Sequence, residues 1–327
     1  MAAVFLDAAS LGDDVDFSPL NEVVSPWVCH PATAPEQVLE RMRGARIAVT
    51  NKVVLDRDIL SACETLELIA VVATGTDNVD LAAARELGIT VSNVRGYGTA
   101  SVTQHVFAMI LRLATRLDAY HRAAVDGRWA ASPHFCLFDY PILELHGKTL
   151  GLVGYGELGR GVERLARAFG MQVLVSARPG SDAAPEGRVA LDEMLPQIDV
   201  LSLHCPLTPQ TAGLMDAARI ARMKPGSFLI NCARGGIVDE QALADALRSG
   251  HLGGAGVDVL TEEPPRNGHV LLDPSIPNLI VTPHVAWAAR ESRGRVMDQL
   301  AENIAAFLAG GPIRVVGNVA QSVLDKS

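Results

Sequence analysis

The chain is poor in cysteine, and the five it has, at positions 29, 63, 136, 205 and 232, are odd in number and form no C-x-x-C. That pattern excludes a disulfide framework and a zinc site as organising features, so a reducing cytoplasm is the expected setting and no metal is expected. Positive charge is also in deficit. With 28 Lys and Arg against 37 Asp and Glu, the net charge is −9. There is no basic stripe for a general nucleic-acid or anionic-membrane surface, so any anionic ligand must be held locally. No apolar run reaches the 18 residues a membrane helix needs, and MAAVFLDAAS has no basic segment ahead of its apolar residues, so neither a membrane span nor a signal peptide is expected. Solenoid repeats and low-complexity tracts are absent. What remains is a globular chain, 49% hydrophobic and 20% charged over 327 residues, a length that suggests two domains each with its own core.

Strand and helix signals alternate throughout, which implies right-handed crossovers and parallel, doubly wound sheets. In the first hundred residues the short apolar runs Val4–Leu6, Ile47–Val49, Leu68–Val72 and Ile89–Val91 read as strands, with helices over Asp56–Thr65 and Val79–Leu87. The loop Ala73-Thr-Gly-Thr-Asp-Asn78 offers backbone N–H groups and two hydroxyls at a strand's carboxyl end. It suits a carboxylate, while Asp77 or Asn78 would also cap the next helix. Residues 99–120 read as one uninterrupted helix, and 121–146, with Trp129, Phe135, Phe138 and Tyr140, as an exposed aromatic arm suited to burial in a dimer. Further strands are expected at Asp199–Leu203, Ser227–Ile230, Ala255–Val259 and Leu279–Thr282, and a last helix at about 288–308, followed by a short tail.

The most informative stretch is Gly147–Arg178. Thr149–Val153 reads as a buried strand, Gly154-Tyr-Gly-Glu-Leu-Gly159 has the G-x-G-x-x-G spacing, and Leu158, Val162, Leu165, Ala166 and Phe169 recur at helical spacing before Val173–Ser176 returns as a strand. Gly154 allows the tight turn, Gly156 lets a pyrophosphate approach the backbone, and Gly159 lets the helix pack on the strand. The phosphate then lies at a helix N-terminus. Beyond the second half's strands stand Arg234, Glu263 and His284, each just past a strand's carboxyl end, where open parallel sheets bind ligands. Each has a plain surface explanation alone. Together they form a working set: an Arg to hold a carboxylate, a His to move a proton, and a Glu to orient that His and favour its charged form.

At these residues the chain resembles the D-isomer-specific 2-hydroxyacid dehydrogenases, over essentially its whole length. The stretches that carry the resemblance are ATGTDNVD (73–80), NVRGYGTASVTQH (93–105), GKTLGLVGYGELG (147–159), HCPLTPQTAGLM (204–215), MKPGSFLINCARGGIVDEQAL (223–243), GAGVDVLTEEPP (254–265) and NLIVTPHVAWAA (278–289). GYGTASVTQH and TPHVAWA are similar to the glycerate dehydrogenase or hydroxypyruvate reductase branch. The resemblance implies an α/β architecture of two doubly wound parallel-sheet domains. A discontinuous flavodoxin-like substrate domain (1–98 and 288–327) would hold an inserted Rossmann dinucleotide-binding domain (99–287), and the subunits would form a homodimer. It implies reduction of a short 2-oxo acid, hydroxypyruvate or glyoxylate, to the D-2-hydroxy acid. In that role Arg234 binds substrate and His284 is the acid/base with Glu263 as partner. The substrate carboxylate would lie on the backbone of Ala73, Thr74 and Gly75. Cofactor contacts would come from Gly154, Gly156, Glu157, Leu158, Gly159, Ser176, Ala177, Arg178, Cys205 and Pro206. The resemblance places the nicotinamide near Thr103, Ala233 and Asp258, and adds Cys232 and Trp287 to the cofactor contacts, Trp287 either narrowing the pocket or packing at the start of the final helix. Gln104 stands where many relatives carry Glu, and a C-terminal regulatory domain of the long phosphoglycerate dehydrogenase kind is missing from the sequence.

One departure bears on the cofactor. NAD-specific sites place Asp or Glu about 20 residues beyond the glycines, on the ribose 2′-hydroxyl; here Ala177 fills that place and Arg178 follows. Loss of the carboxylate removes a hydroxyl acceptor and a repulsion, and a guanidinium suits a 2′-phosphate. NADP is therefore the expected cofactor, with NAD possible and Ser176 as an added hydroxyl donor. The competing function from another class is a cofactor-sensing, corepressor-like module without turnover.

Overall fold

The computed structural model describes residues 2–181 and 184–317, so the expected tail beyond 317 lies outside the described residues. The chain divides into two compact units, Met1–Gly98 with Ala288–Ser327, and Thr99–Trp287.

The first unit holds a five-stranded sheet of β1 (Ala3–Phe5), β2 (Trp27–Cys29), β3 (Ile47–Thr50), β4 (Leu68–Val71) and β5 (Thr90–Ser92), all parallel, in the order β2-β1-β3-β4-β5. This is the 2-1-3-4-5 order of flavodoxin-like sheets, with its switch point between β1 and β3. β3 and β4 are buried along their whole length, as interior parallel strands are. The strand β2 has no signal in the sequence. It is three residues long, partly exposed at the sheet edge and follows Pro26, so neither alternation nor an apolar run marks it. Helix Arg57–Ser61 is capped by Asp56, and helix Leu81–Glu86 by Asp80, whose carboxylate accepts from the Ala83 N–H at 2.8 Å. The expected cap at Asp77 or Asn78 is thus displaced, because Asn78 instead donates its side-chain amide to the Val53 carbonyl at 2.8 Å. The last helix, Arg290–Leu308, belongs to this unit: Ser292 bonds the Tyr97 carbonyl and Asn303 the Asn93 carbonyl, which carries the chain's end back onto β5.

The second unit holds a six-stranded parallel sheet of β6 (Thr149–Val153), β7 (Gln172–Val175), β8 (Val200–Leu203), β9 (Phe228–Asn231), β10 (Gly254–Val257) and β11 (Leu279–Val281), in the order β11-β10-β9-β8-β6-β7. An isolated parallel bridge from Ser176 to Val189 continues it past β7, so Val189 takes the place of the third strand in a 3-2-1-4-5-6 order. The switch point lies between β6 and β8. Helix Thr99–Thr115 covers one face with Val102, Val106, Ile110 and Leu113, beside Val162 and Ala166 of helix Glu157–Ala168. Burying each such side chain is worth at most about 1.5–3 kcal/mol against an extended chain. Gly161 and Gly256 make this packing possible: a Cβ at the first would stand 2.6 Å from the Thr103 hydroxyl, and at the second 2.7 Å from the Met109 sulfur. The other face is covered by Met194, Ile220, Leu243 and Leu247. The helix expected over 99–120 is two helices, Thr99–Thr115 and Leu117–Val125, parted by Arg116 at φ +53° in the left-handed region. No proline or glycine announces that break. Beyond it, residues 128–142 form no regular element, and Phe135 and Phe138 are 91% and 87% exposed.

Candidate active site

β6 delivers the chain into the turn at Gly154, whose φ of +90° already favours glycine. A Cβ there would stand 2.5 Å from the His204 carbonyl oxygen, so the turn closes against the end of β8 at the switch point. A Cβ on Gly159 would meet the Gly154 oxygen at 2.4 Å, whereas one on Gly156 would meet nothing within 4 Å. The outer glycines are therefore required by packing and the middle one by an open cradle. Glu157 opens the helix, and its carboxylate accepts from the Thr99 hydroxyl at 2.6 Å. Leu158 packs on the core. Across the switch point, His204 pairs Nε2 with the Ser202 hydroxyl at 2.9 Å while its Nδ1, sealed from solvent, has no partner among the described residues. Burial pushes its pKa down to about 4, so the ring is neutral. The next residue, Cys205, is buried and its thiol pushed up to about 11 by desolvation; the Pro206 carbonyl accepts from Thr211.

Three strands place the ionisable residues. After β9, the buried Asn231 accepts from the Ala233 N–H at 3.0 Å and donates to the Arg234 carbonyl at 2.9 Å, pinning the turn that presents Arg234. Gly235 then passes so close to the loop after β10 that a Cβ would stand 2.0 Å from the Leu260 oxygen. On that loop, Glu263 accepts from the Leu260 N–H at 2.8 Å with one oxygen and meets His284 Nδ1 at 2.7 Å with the other. His284, after β11, has a left-handed φ of +54°, a strained conformation for a residue with a Cβ. Asp258 holds it there: the Asp258 carbonyl accepts the His284 N–H at 2.8 Å, and its carboxylate accepts those of Val285 and Ala286 at 3.0 and 2.9 Å. Thr282 also donates to this carboxylate, and His105 meets the Thr282 hydroxyl at 3.0 Å. A carboxylate acceptor on Nδ1 makes that nitrogen the donor and leaves Nε2 for proton exchange.

Residues 107–286 match the model of the D-isomer specific 2-hydroxyacid dehydrogenase NAD-binding domain. Over 96% of this chain and 98% of the relative, the sequence is 46% identical to glycerate dehydrogenase of Methylorubrum extorquens. It is 38% identical to hydroxypyruvate reductase of Blautia hydrogenotrophica, over 97% of this chain and 99% of that one. The chain belongs to the D-isomer specific 2-hydroxyacid dehydrogenase family. Among solved structures, the TT0316 protein of Thermus thermophilus superposes with a TM-score of 0.84 at 35% identity, covering 97% of this chain and all of that one. An NADPH-dependent glyoxylate/hydroxypyruvate reductase from Sinorhizobium meliloti, solved with NADP and malonate, superposes at 0.80 with 27% identity and 97% coverage of both chains.

The chain is thus an NAD(P)-dependent oxidoreductase, and the open cradle at Gly156 fits a dinucleotide's phosphates. At the end of β7 stand Ala177 and Arg178, the two residues on which the cofactor expectation turns. Ala177 is partly exposed and Arg178 is exposed, and in sequence neither is the acid that an NAD site carries at this place. The hydroxyl of Ser176 is buried and has no partner among the described residues. Thr103, Cys232 and Ala233 are all buried; desolvation, with Asp258 nearby, raises the Cys232 thiol far above its usual range. Trp287 is partly buried and packs against the second unit's core, to which Ala286 also belongs. In the first unit, the loop after β4 presents the N–H groups of Thr74 and Gly75, which meet no acceptor among the described residues, while the Thr74 hydroxyl bonds the Val94 carbonyl at 3.0 Å. Ala73 beside them is buried.

Two supports escaped the sequence. Glu240, first residue of helix Glu240–Arg248, accepts from the Thr261 N–H at 2.9 Å and from His269 at 2.9 Å, bracing the loop that carries Glu263. Asn231 is the other. Glu240 acts through long-range contacts that no spacing rule reveals, whereas Asn231 acts within its own turn. Among the described residues, no group of His, Cys, Asp and Glu could hold a metal ion and no helix is long and apolar enough to cross a membrane.

Proposed function

We propose that this dehydrogenase reduces a short 2-oxo acid, hydroxypyruvate or glyoxylate, to the D-2-hydroxy acid, with NADPH as its preferred cofactor. The observation that carries this reading is the 2.7 Å contact of His284 Nδ1 with Glu263, on a loop that packs flush against the Arg234 turn. The nicotinamide supplies or takes the hydride. His284 gives its Nε2 proton to the carbonyl oxygen as charge develops there, so no free alkoxide accumulates. Glu263 keeps the ring oriented and stabilises it when charged. Arg234 binds the acid's carboxylate through paired hydrogen bonds and polarises the carbonyl; in the first unit, the N–H groups of Thr74 and Gly75 are of a kind that suits a carboxylate. The relatives support the substrate class, since two of them are named for glycerate and hydroxypyruvate and the Sinorhizobium meliloti reductase is NADPH-dependent.

The cofactor preference rests on Ala177 and Arg178. Steady-state kinetics with hydroxypyruvate and glyoxylate, run with NADPH and with NADH, tests both halves of the proposal. We expect turnover with a lower KM for NADPH, and in Arg178→Ala an NADPH KM raised about tenfold with little change for NADH, the scale of one lost charge-assisted contact. No turnover with any short 2-oxo acid would return the molecule to a sensing role, and a wild-type preference for NADH would reject the NADPH assignment. The exposed Phe135 and Phe138 further support a homodimer through residues 99–120 and the 121–146 segment. Light scattering should give about twice the 34.7 kDa chain mass, and a monomer at micromolar concentration would reject it.

A further inference from the structure

A second arginine stands at the phosphate turn, outside every motif. Arg188 places its guanidinium 4.5 Å from the ring centroid of Tyr155, the residue between the first two glycines of the turn. Its backbone is fixed from the other direction. The neighbouring Val189 donates its N–H to the Val175 carbonyl at 3.0 Å and accepts from the Ala177 N–H at 2.8 Å, at the strand end where an NAD site would carry its ribose-binding acid. Arg188 thus links the pyrophosphate turn with the ribose position.

Among the described residues, the carboxylate that feels the charge of Arg188 is Glu163, and it is already committed. Glu163 accepts from the Tyr155 hydroxyl with one oxygen and from Arg167 with the other, at 2.7 and 2.9 Å. Arg188 forms no ion pair with a described residue, and Arg160 adds a further guanidinium 6.0 Å from the same ring. A guanidinium stacked on an aromatic uses its face and keeps its N–H edge for a planar or tetrahedral anion. On a chain of net charge −9, two guanidiniums that form no salt bridge with a described residue, beside a carboxylate already held by Arg167 and Tyr155, are a local concentration of positive potential.

We propose that Arg188 is a second specificity residue for the phosphate monoester on the cofactor's adenosine ribose, held ready by Tyr155 and acting together with Arg178. The inference rests on the NADPH reading above and deepens it. Arg178 extends from the strand end and is exposed, so it contributes charge only by ordering a long side chain. Arg188 is partly buried and already placed. The preordered residue accordingly supplies direction, the exposed one additional attraction.

Calorimetric titration with 2′,5′-ADP and with 5′-AMP separates the two claims without any turnover. Wild type should bind 2′,5′-ADP more tightly than 5′-AMP. In Arg188→Ala the 2′,5′-ADP affinity should weaken about tenfold, with 5′-AMP within about twofold, and Arg188→Lys should fall between because it keeps charge but not the stack. Unchanged affinity for both ligands in Arg188→Ala would overturn the inference. Equal weakening of both would overturn it too, because Arg188 would then only brace the turn. If wild type does not distinguish the two ligands, the NADPH reading itself fails; if it does and only Arg178→Ala loses the distinction, the reading stands and Arg188 has no part. Thermal melting checks that each variant folds, and Arg188→Lys carries the test should the alanine variant not do so.

Discussion

Both sheets reverse strand order once, and the two switch points are built oppositely. In the first unit, Asp7 stands just beyond β1 and turns its buried carboxylate onto the N–H groups that follow β3: Asn51 at 2.8 Å, Lys52 at 2.6 Å and Val53 at 3.3 Å. The second unit has at the same topological place the Gly154–Gly159 turn, with no side chain over Gly156. Parallel sheets gather outward-pointing amides at such a point in either case. The comparison teaches that topology creates the anion-binding cleft while a single residue decides its use. One cleft is filled by the chain's own carboxylate, and the other is left for a phosphate from outside.

The comparison can be broken most sharply at the open end. His284→Ala or Arg234→Ala should each lower kcat/KM by about 10² or more, the scale for losing a positioned acid/base or carboxylate clamp, with the melting temperature nearly unchanged. Retention of most activity in either variant would show that the open cleft is not where the reaction is run. The closed end should answer in stability rather than rate. Asp7→Ala strips an acceptor from three backbone donors at once and should cost about 2 kcal/mol in denaturant unfolding, mainly through desolvated amides left unpaired. A shift below about 0.5 kcal/mol would mean that water replaces the carboxylate freely and that this cleft is not truly closed.

The sequence made most of the second unit legible because its signals are local. The strand Thr149–Val153, the glycine spacing and the helix after it all fall within one stretch, and the buried strands β8, β9 and β10 are short apolar runs that nothing else explains. The three ionisable residues could be proposed from their position past strand ends alone. What stayed hidden depends on distance or on backbone. Glu240 and His269 are 29 residues apart, and Asp258 holds the His284 loop through main-chain donors that any sequence supplies. Edge strand β2 is too short to show a pattern, and Arg116 breaks its helix in a conformation that an arginine rarely adopts. Ser176, offered by the sequence as an added hydroxyl donor, is buried together with its neighbour Val175, and no local pattern announces that.

The close approach at Gly235 has a consequence for motion. With Leu260 only as far away as a missing Cβ allows, the Arg234 turn cannot slide or tilt without carrying the loop of Glu263 with it, and Glu263 carries His284. With Arg234 as the clamp and His284 as the proton donor, as proposed, the two would travel together, and little of the barrier would go to bringing them into register.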